Sequence, residues 1–192
     1  MKRNFVVVLL LVGSFSIFGC SKNASESKND QNNLDISQSQ TSTENTNSSN
    51  VSVSNNQAPN FILEDTNGKK VSLANYKGKV VIVDFWATWC PPCRRGIPDL
   101  IEIQKQFKNK VAVIGISVDT DTKGDVPSFV KKMGINYTVL YANADVVQAY
   151  GGIESIPTSF IIDKKGNIVT QHIGLTPKET LIDEIKNILG KS

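Results

Sequence analysis

Histidine is almost missing from this 192-residue chain: His172 is the only one. That removes imidazole-rich metal centres and leaves little room for a histidine base. Cysteine is sparse as well, with three residues, Cys20, Cys90 and Cys93. The formal net charge is only +3, and Lys2 and Arg3 at the N-terminus supply part of it. So small and scattered an excess does not make a nucleic-acid surface. The chain also lacks an apolar run of the ~20 residues that a spanning helix needs; Phe5 to Phe18 is shorter and is broken by Gly13, Ser14 and Ser16. Internal repeats are absent too. What remains is ordinary for a globular protein, 40% hydrophobic and 20% charged, and implies one domain with appendages.

The N-terminal segment, residues 1–19, has the charged start and short apolar stretch of an export signal. It ends in Ile17-Phe18-Gly19-Cys20, which resembles a bacterial lipobox with a bulky Phe18 where small residues are more usual. Lipid on Cys20 would hold the chain on a membrane and take that thiol out of redox chemistry. Ordinary cleavage, or an uncleaved anchor, are the alternatives. Residues 20–57 are rich in Ser, Asn, Thr and Gln. Such a segment buries too little apolar surface to offset chain entropy and is expected to be a disordered tether, with a reach of roughly 35 Å.

Globular sequence is expected over 58–192. Phe61-Ile62-Leu63 and Val71-Ser72-Leu73 flank Asn67-Gly68, a hairpin signal. Val80 to Trp86 is apolar except for Asp84, the pattern of a central buried strand. A helical apolar face follows through Ile97, Leu100, Ile101, Ile103 and Phe107, with Pro98 expected to kink it. Val111 to Val118 reads as a strand, Val126 to Met133 as a helix, Tyr137 to Tyr141 as a strand and Ala144 to Tyr150 as a helix. Thr158 to Ile162 and Ile168 to Ile173 read as a second strand pair, and Lys178 to Leu189 as a last helix. This order predicts a three-layer α/β domain with a mixed central sheet, an N-terminal β-hairpin and an inserted αβ unit.

The chemistry sits at Cys90-Pro91-Pro92-Cys93. A zinc site would need four ligands, and only Cys20 and His172 remain to complete one. A structural disulfide of this spacing would close too small a loop to restrain the unfolded chain much. Haem attachment would want a histidine where Arg94 stands. A redox dithiol on a strand-to-helix turn fits every neighbour. Pro91 and Pro92 suit a helix start, where N–H groups have no partner, and hold the sulfurs close. Cys90 would then lie at the positive end of the helix, with a lowered thiol pKa, as an accessible nucleophile. Cys93, one turn inward and less exposed, would resolve the mixed disulfide. Asp84, buried on the preceding strand, could take the proton that Cys93 must lose, or could be a merely structural, hydrogen-bonded carboxylate. Trp89, Pro91 and Pro92 are expected at the substrate-facing surface. Trp86 is expected in the core, Arg94 and Arg95 as solvated helix charges, His172 at the surface or in packing, and Asp119 and Asp121 in a loop or at a helix cap.

Val83-Asp84-Phe85-Trp86-Ala87-Thr88-Trp89-Cys90-Pro91-Pro92-Cys93 resembles the active-site strand and turn of the thioredoxin superfamily, and Ile156-Pro157-Thr158-Ser159-Phe160-Ile161-Ile162-Asp163 resembles its second signature. The export segment, Pro59-Asn60-Phe61 and the αβ insertion point to the TlpA/ResA branch, over about residues 58 to 190. The resemblance implies a thioredoxin-like fold and membrane-anchored, extracytoplasmic thiol-disulfide exchange without a cofactor beyond the redox disulfide. It implies a cis Pro157 beside the dithiol, and Ile156 backbone groups offered to an extended substrate. It further implies disulfide-bearing exported proteins as partners, among them apocytochrome c in cytochrome c maturation, and a membrane thiol-shuttling electron donor. Gly96 stands where many ResA-like members carry a glutamate, so the acid-base work falls to Asp84, as in thioredoxin itself. A peroxiredoxin-like thiol peroxidase is the rival enzyme, but Val83 occupies the position where its motif wants proline. A non-catalytic module binding partners at the Pro157 groove is the third reading.

Overall fold

The structure, a computed structural model, describes residues 56–190. The export segment, Cys20 and nearly all of the tether lie outside the described residues.

A hairpin leads, β1 (Ile62–Glu64) with β2 (Lys70–Ser72), paired antiparallel. Its turn is tied by Asp65 Oδ1, which accepts the N–H groups of Asn67 and Lys69 at 2.8 and 2.9 Å. A 3-10 turn over Leu73–Tyr76 follows, capped by Ser72. Then come β3 (Val80–Trp86), α1 (Pro91–Gln106), β4 (Val111–Ser117), α2 (Val126–Met133), β5 (Thr138–Tyr141) and α3 (Ala144–Ala149). The chain ends in β6 (Thr158–Ile162), β7 (Ile168–Ile173) and α4 (Lys178–Gly190). The main sheet has the order β5-β4-β3-β6-β7, with β3, β4 and β5 parallel and β6 and β7 antiparallel to their neighbours.

Both long central strands are buried along their whole length, because helices cover both faces of the sheet. Val81, Val83 and Phe85 pack with Phe61, Leu63, Val146 and Tyr150, which places the hairpin and α3 on one face. Val80 and Ile82 meet Leu100, Ile103, Leu181 and Ile185, so α1 and α4 cover the other. Alternation along β3 puts Asp84 and Trp86 on this second face, at the strand's C-terminal end. There Trp86 joins Cys90, Cys93, Ile97 and Val126, bringing α2 beside α1. The expected thioredoxin-like layering is thus observed. The αβ insertion is α2 with β5, the latter forming the sheet's edge.

α1 runs from Pro91 to Gln106 with Pro98 inside it, as expected. One local detail departs from the sequence expectations. The globular part starts before residue 58: Ile168 N–H donates to the Asn56 carbonyl at 2.7 Å, and Gln57 Nε2 donates to the Gly166 carbonyl at 2.9 Å. Two residues assigned to the tether are therefore held by the β6–β7 turn, whose backbone groups offer them partners.

Candidate active site

β3 delivers the chain to the dithiol. After Trp86 the backbone turns, and Thr88 is fixed there by Asp119: its N–H donates to Asp119 Oδ2 at 3.0 Å and its hydroxyl to Oδ1 at 2.5 Å. Ser117 and Thr122 hydroxyls also donate to this carboxylate. Burial pushes the Asp119 carboxyl up, but the bonds from Thr122, Thr88 and Ser117 outweigh it and hold it below its ordinary value. Asp119 lies in the loop after β4, as expected, and is there a buried anchor for the turn that presents Cys90.

Cys90 is the N-cap of α1, with extended backbone angles. The next two residues are prolines and have no N–H. The first N–H of the helix that can reach the sulfur is therefore that of Cys93, which donates to Cys90 Sγ at 3.2 Å. This is where the helix concentrates unpaired donors and positive potential. The two sulfurs are joined, with an S–S distance of 2.07 Å and Cα atoms 5.3 Å apart. The Arg94 guanidinium lies 5.7 Å from the centre of the Phe129 ring.

One expectation is overturned. Cys90 was expected to be open and Cys93 shielded, yet their exposures are 2% and 3%. The disulfide turns each sulfur toward the other, and the Ile156 carbonyl oxygen lies 3.7 Å from Cys90 Sγ, closing the remaining side. Only a sliver of the oxidised pair meets solvent, beside Trp89, which is 58% exposed. Pro91 is exposed, Pro92 and Ile156 half-buried and Pro157 buried. The Ile156–Pro157 peptide is cis, as expected.

Behind the pair lies Asp84. Ser159, its antiparallel partner across β3 and β6, donates a hydrogen bond to Asp84 Oδ1 at 2.6 Å. Burial drives the Asp84 carboxyl up to about 7, and the Ser159 bond offsets part of that rise. A cleft of about 20 Å³ is lined by Asp84, Cys93, Gly96, Pro157, Ser159 and Leu175, room for a single water. Asp84 and Cys93 thus line the same small cleft. Ser159 and Leu175 were not singled out in the sequence; the register of β6 brings the first, and the loop before α4 the second. His172 lies elsewhere, its Nε2 3.0 Å from Glu184 Oε2. Among the described residues no group of three or more His, Cys, Asp or Glu could hold a metal ion.

Comparison with known proteins agrees with this geometry. The AhpC/TSA family profile matches residues 54–171. The thiol-disulfide oxidoreductase ResA of Bacillus thuringiensis is 38% identical over 133 residues, 69% of this chain and 76% of that protein. A thiol:disulfide interchange protein of Chlorobium tepidum superposes with a TM-score of 0.65 at 38% identity, covering 69% of this chain and 95% of the other. An exposed lipoprotein thioredoxin of Streptococcus pneumoniae does so with a TM-score of 0.60 at 30% identity, covering 67% and 99%. A dithiol at the head of a helix, backed by a buried carboxylate and faced by a cis-proline loop, occurs here in a chain with these relatives; the protein belongs to the thioredoxin-like AhpC/TSA family and, within it, to the ResA-like thiol-disulfide oxidoreductases.

Proposed function

We propose that the chain is an extracytoplasmic reductase of protein disulfides, held on a bacterial membrane through lipid on Cys20. The observation that carries the reading is Cys90 Sγ at the head of α1, taking the Cys93 N–H. A sulfur so placed is stabilised as a thiolate. In the reduced enzyme, Cys90 thiolate attacks one sulfur of a substrate disulfide, forming a mixed disulfide and releasing the first substrate thiolate. Asp84 then takes the Cys93 proton, and Cys93 thiolate attacks Cys90 Sγ. The Cys90–Cys93 bond forms, the mixed disulfide breaks, and the second substrate thiolate leaves. Two electrons have passed to the substrate. A membrane thiol donor returns them by the reverse steps, with Asp84 giving its proton to the departing Cys93.

Trp89 and the Ile156 backbone are the groups a substrate meets, and an extended segment alongside Ile156 and Pro157 would add like a strand. The haem-site cysteines of apocytochrome c, as a disulfide in an unfolded chain, suit such a groove. The lipoprotein character of the pneumococcal relative supports the anchored placement. No helix among the described residues is long and apolar enough to cross a membrane.

Trapping tests the reading. A Cys93→Ala chain should accumulate exported proteins disulfide-linked to Cys90, whereas Cys90→Ala should accumulate none. A potential near about −270 mV for the Cys90/Cys93 couple supports a reductant, and one near about −120 mV an oxidant.

A further inference from the structure

We infer that the end of the domain opposite the dithiol is a basic pole that rests on the anionic lipid headgroups of the membrane. This rests on the anchored placement proposed above.

The topology brings three loops together at that end. Lys77 and Lys79 precede β3, Lys108 and Lys110 precede β4, and Lys164 and Lys165 form the β6–β7 turn. They are neighbours because Val80 N–H donates to the Lys110 carbonyl at 3.0 Å and Gly78 N–H to the Lys164 carbonyl at 3.2 Å. The loops from Lys77 to Lys79, Lys108 to Lys110 and Asp163 to Gly166 contain one acid, Asp163. Its carboxylate is occupied in the turn, accepting the N–H groups of Lys165 and Asn167. These three loops thus carry six lysines and one acid. A cleft of about 300 Å³ opens among them, lined by Lys77, Lys79 and Lys165 with Gln57 and Tyr76.

The dithiol end carries no such excess. The loop after β4 has Asp119, Asp121 and Asp125 against Lys123, Glu154 lies before Pro157, and the exposed Arg94 and Arg95 follow Cys93 on α1. The two ends are separated by the length of β3, roughly 20 Å. An anionic bilayer therefore attracts the lysine-rich end more strongly than the dithiol end.

The occupant follows from where the chain enters. Ala58 N–H and Gln57 Nε2 both donate to the Gly166 carbonyl, at 2.9 Å each. The segment coming from Cys20 thus joins the domain inside the basic pole. A tether fixed there holds this face nearest the bilayer, where each lysine gains attraction to anionic lipid. The dithiol then faces outward, toward exported substrates.

The test uses the full chain with phosphatidylcholine vesicles, with or without phosphatidylglycerol. Lysines are labelled with a water-soluble amine reagent and read by mass spectrometry. Lys77, Lys79, Lys108, Lys110 and Lys165 should be protected on phosphatidylglycerol vesicles only, relative to Lys123 and Lys131, and high salt should abolish the protection. The triple change Lys77→Gln, Lys79→Gln, Lys165→Gln should weaken protection of Lys108 and Lys110 by roughly fivefold per lysine removed. Its exchange rate with a small soluble disulfide should stay unchanged. Equal labelling on both vesicle types overturns the basic pole, whether or not the chain floats. Protection by soluble poly(glycerol phosphate) without protection by vesicles also overturns it, in favour of an anionic polymer. Flotation with pure phosphatidylcholine vesicles reads the anchor alone, so a failed anchor is seen separately.

Discussion

Ser159 Oγ donates to Asp84 Oδ1 at 2.6 Å, across a strand pair that the sequence separates by 75 positions. This bond is made to the carboxylate proposed to take the Cys93 proton, and it opposes the burial that lifts Asp84 to about 7. Ser159→Ala should therefore push the Asp84 carboxyl further up. A hydrogen bond to a charged group contributes about 1.5–3 kcal/mol, so the pH profile of mixed-disulfide resolution should move up by roughly one to two units. A profile unchanged in stopped-flow thiol exchange would remove Ser159 from the proton path.

Asp84 also links stability to pH. Its carboxyl lies near 3.8 in an unfolded chain and near 7 in the fold. Between these values the folded state binds the extra proton, so stability falls as pH rises through this window. The penalty is absent below about pH 4 and complete above about pH 7, on the order of 4 kcal/mol. Asp84→Asn, which can keep the Ser159 bond, should flatten the dependence. Urea midpoints at pH 5 and pH 8 should show the unmodified chain losing stability and the variant holding it.

Asp119 binds the turn ahead of Cys90. Asp119→Ala strands the Thr88 N–H and the Ser117 and Thr122 hydroxyls, partners it now satisfies. Urea unfolding should show a loss of roughly 2–3 kcal/mol. Exchange at Cys90 should slow as well, because the turn that places it is freed.

Gly96 borders the cleft with Asp84 and Cys93. A Cβ there would come within 3.0 Å of Leu175 Cδ1, the movable end of a half-exposed side chain. Gly96→Glu should therefore be tolerated. The added carboxylate raises the Asp84 pKa by like-charge repulsion, moving the resolution profile up by about one unit. An unshifted profile would show that the new side chain points away from the cleft.

The elements whose signals are local were legible in the amino-acid sequence. The run Val80 to Trp86, the Cys90–Cys93 spacing and Ile156-Pro157 each carry their pattern within a few residues, and each lies where expected. What was not legible depends on pairing across the chain. Ser159 meets Asp84 only through the β3–β6 register, and Thr88 meets Asp119 only because β4 lies beside β3. The covering of Cys90 comes from Ile156, 66 positions away. The tether boundary was misplaced because Asn56 and Gln57 are polar residues held by backbone groups of a distant turn.

The acidity of Cys90 decides the account. In the reduced Cys93→Ala chain, the rate of iodoacetamide alkylation should be followed against pH. A helix-head thiolate predicts an inflection well below the ~8.5 of free cysteine. An inflection at or above that value, with no fast reaction at neutral pH, would contradict it.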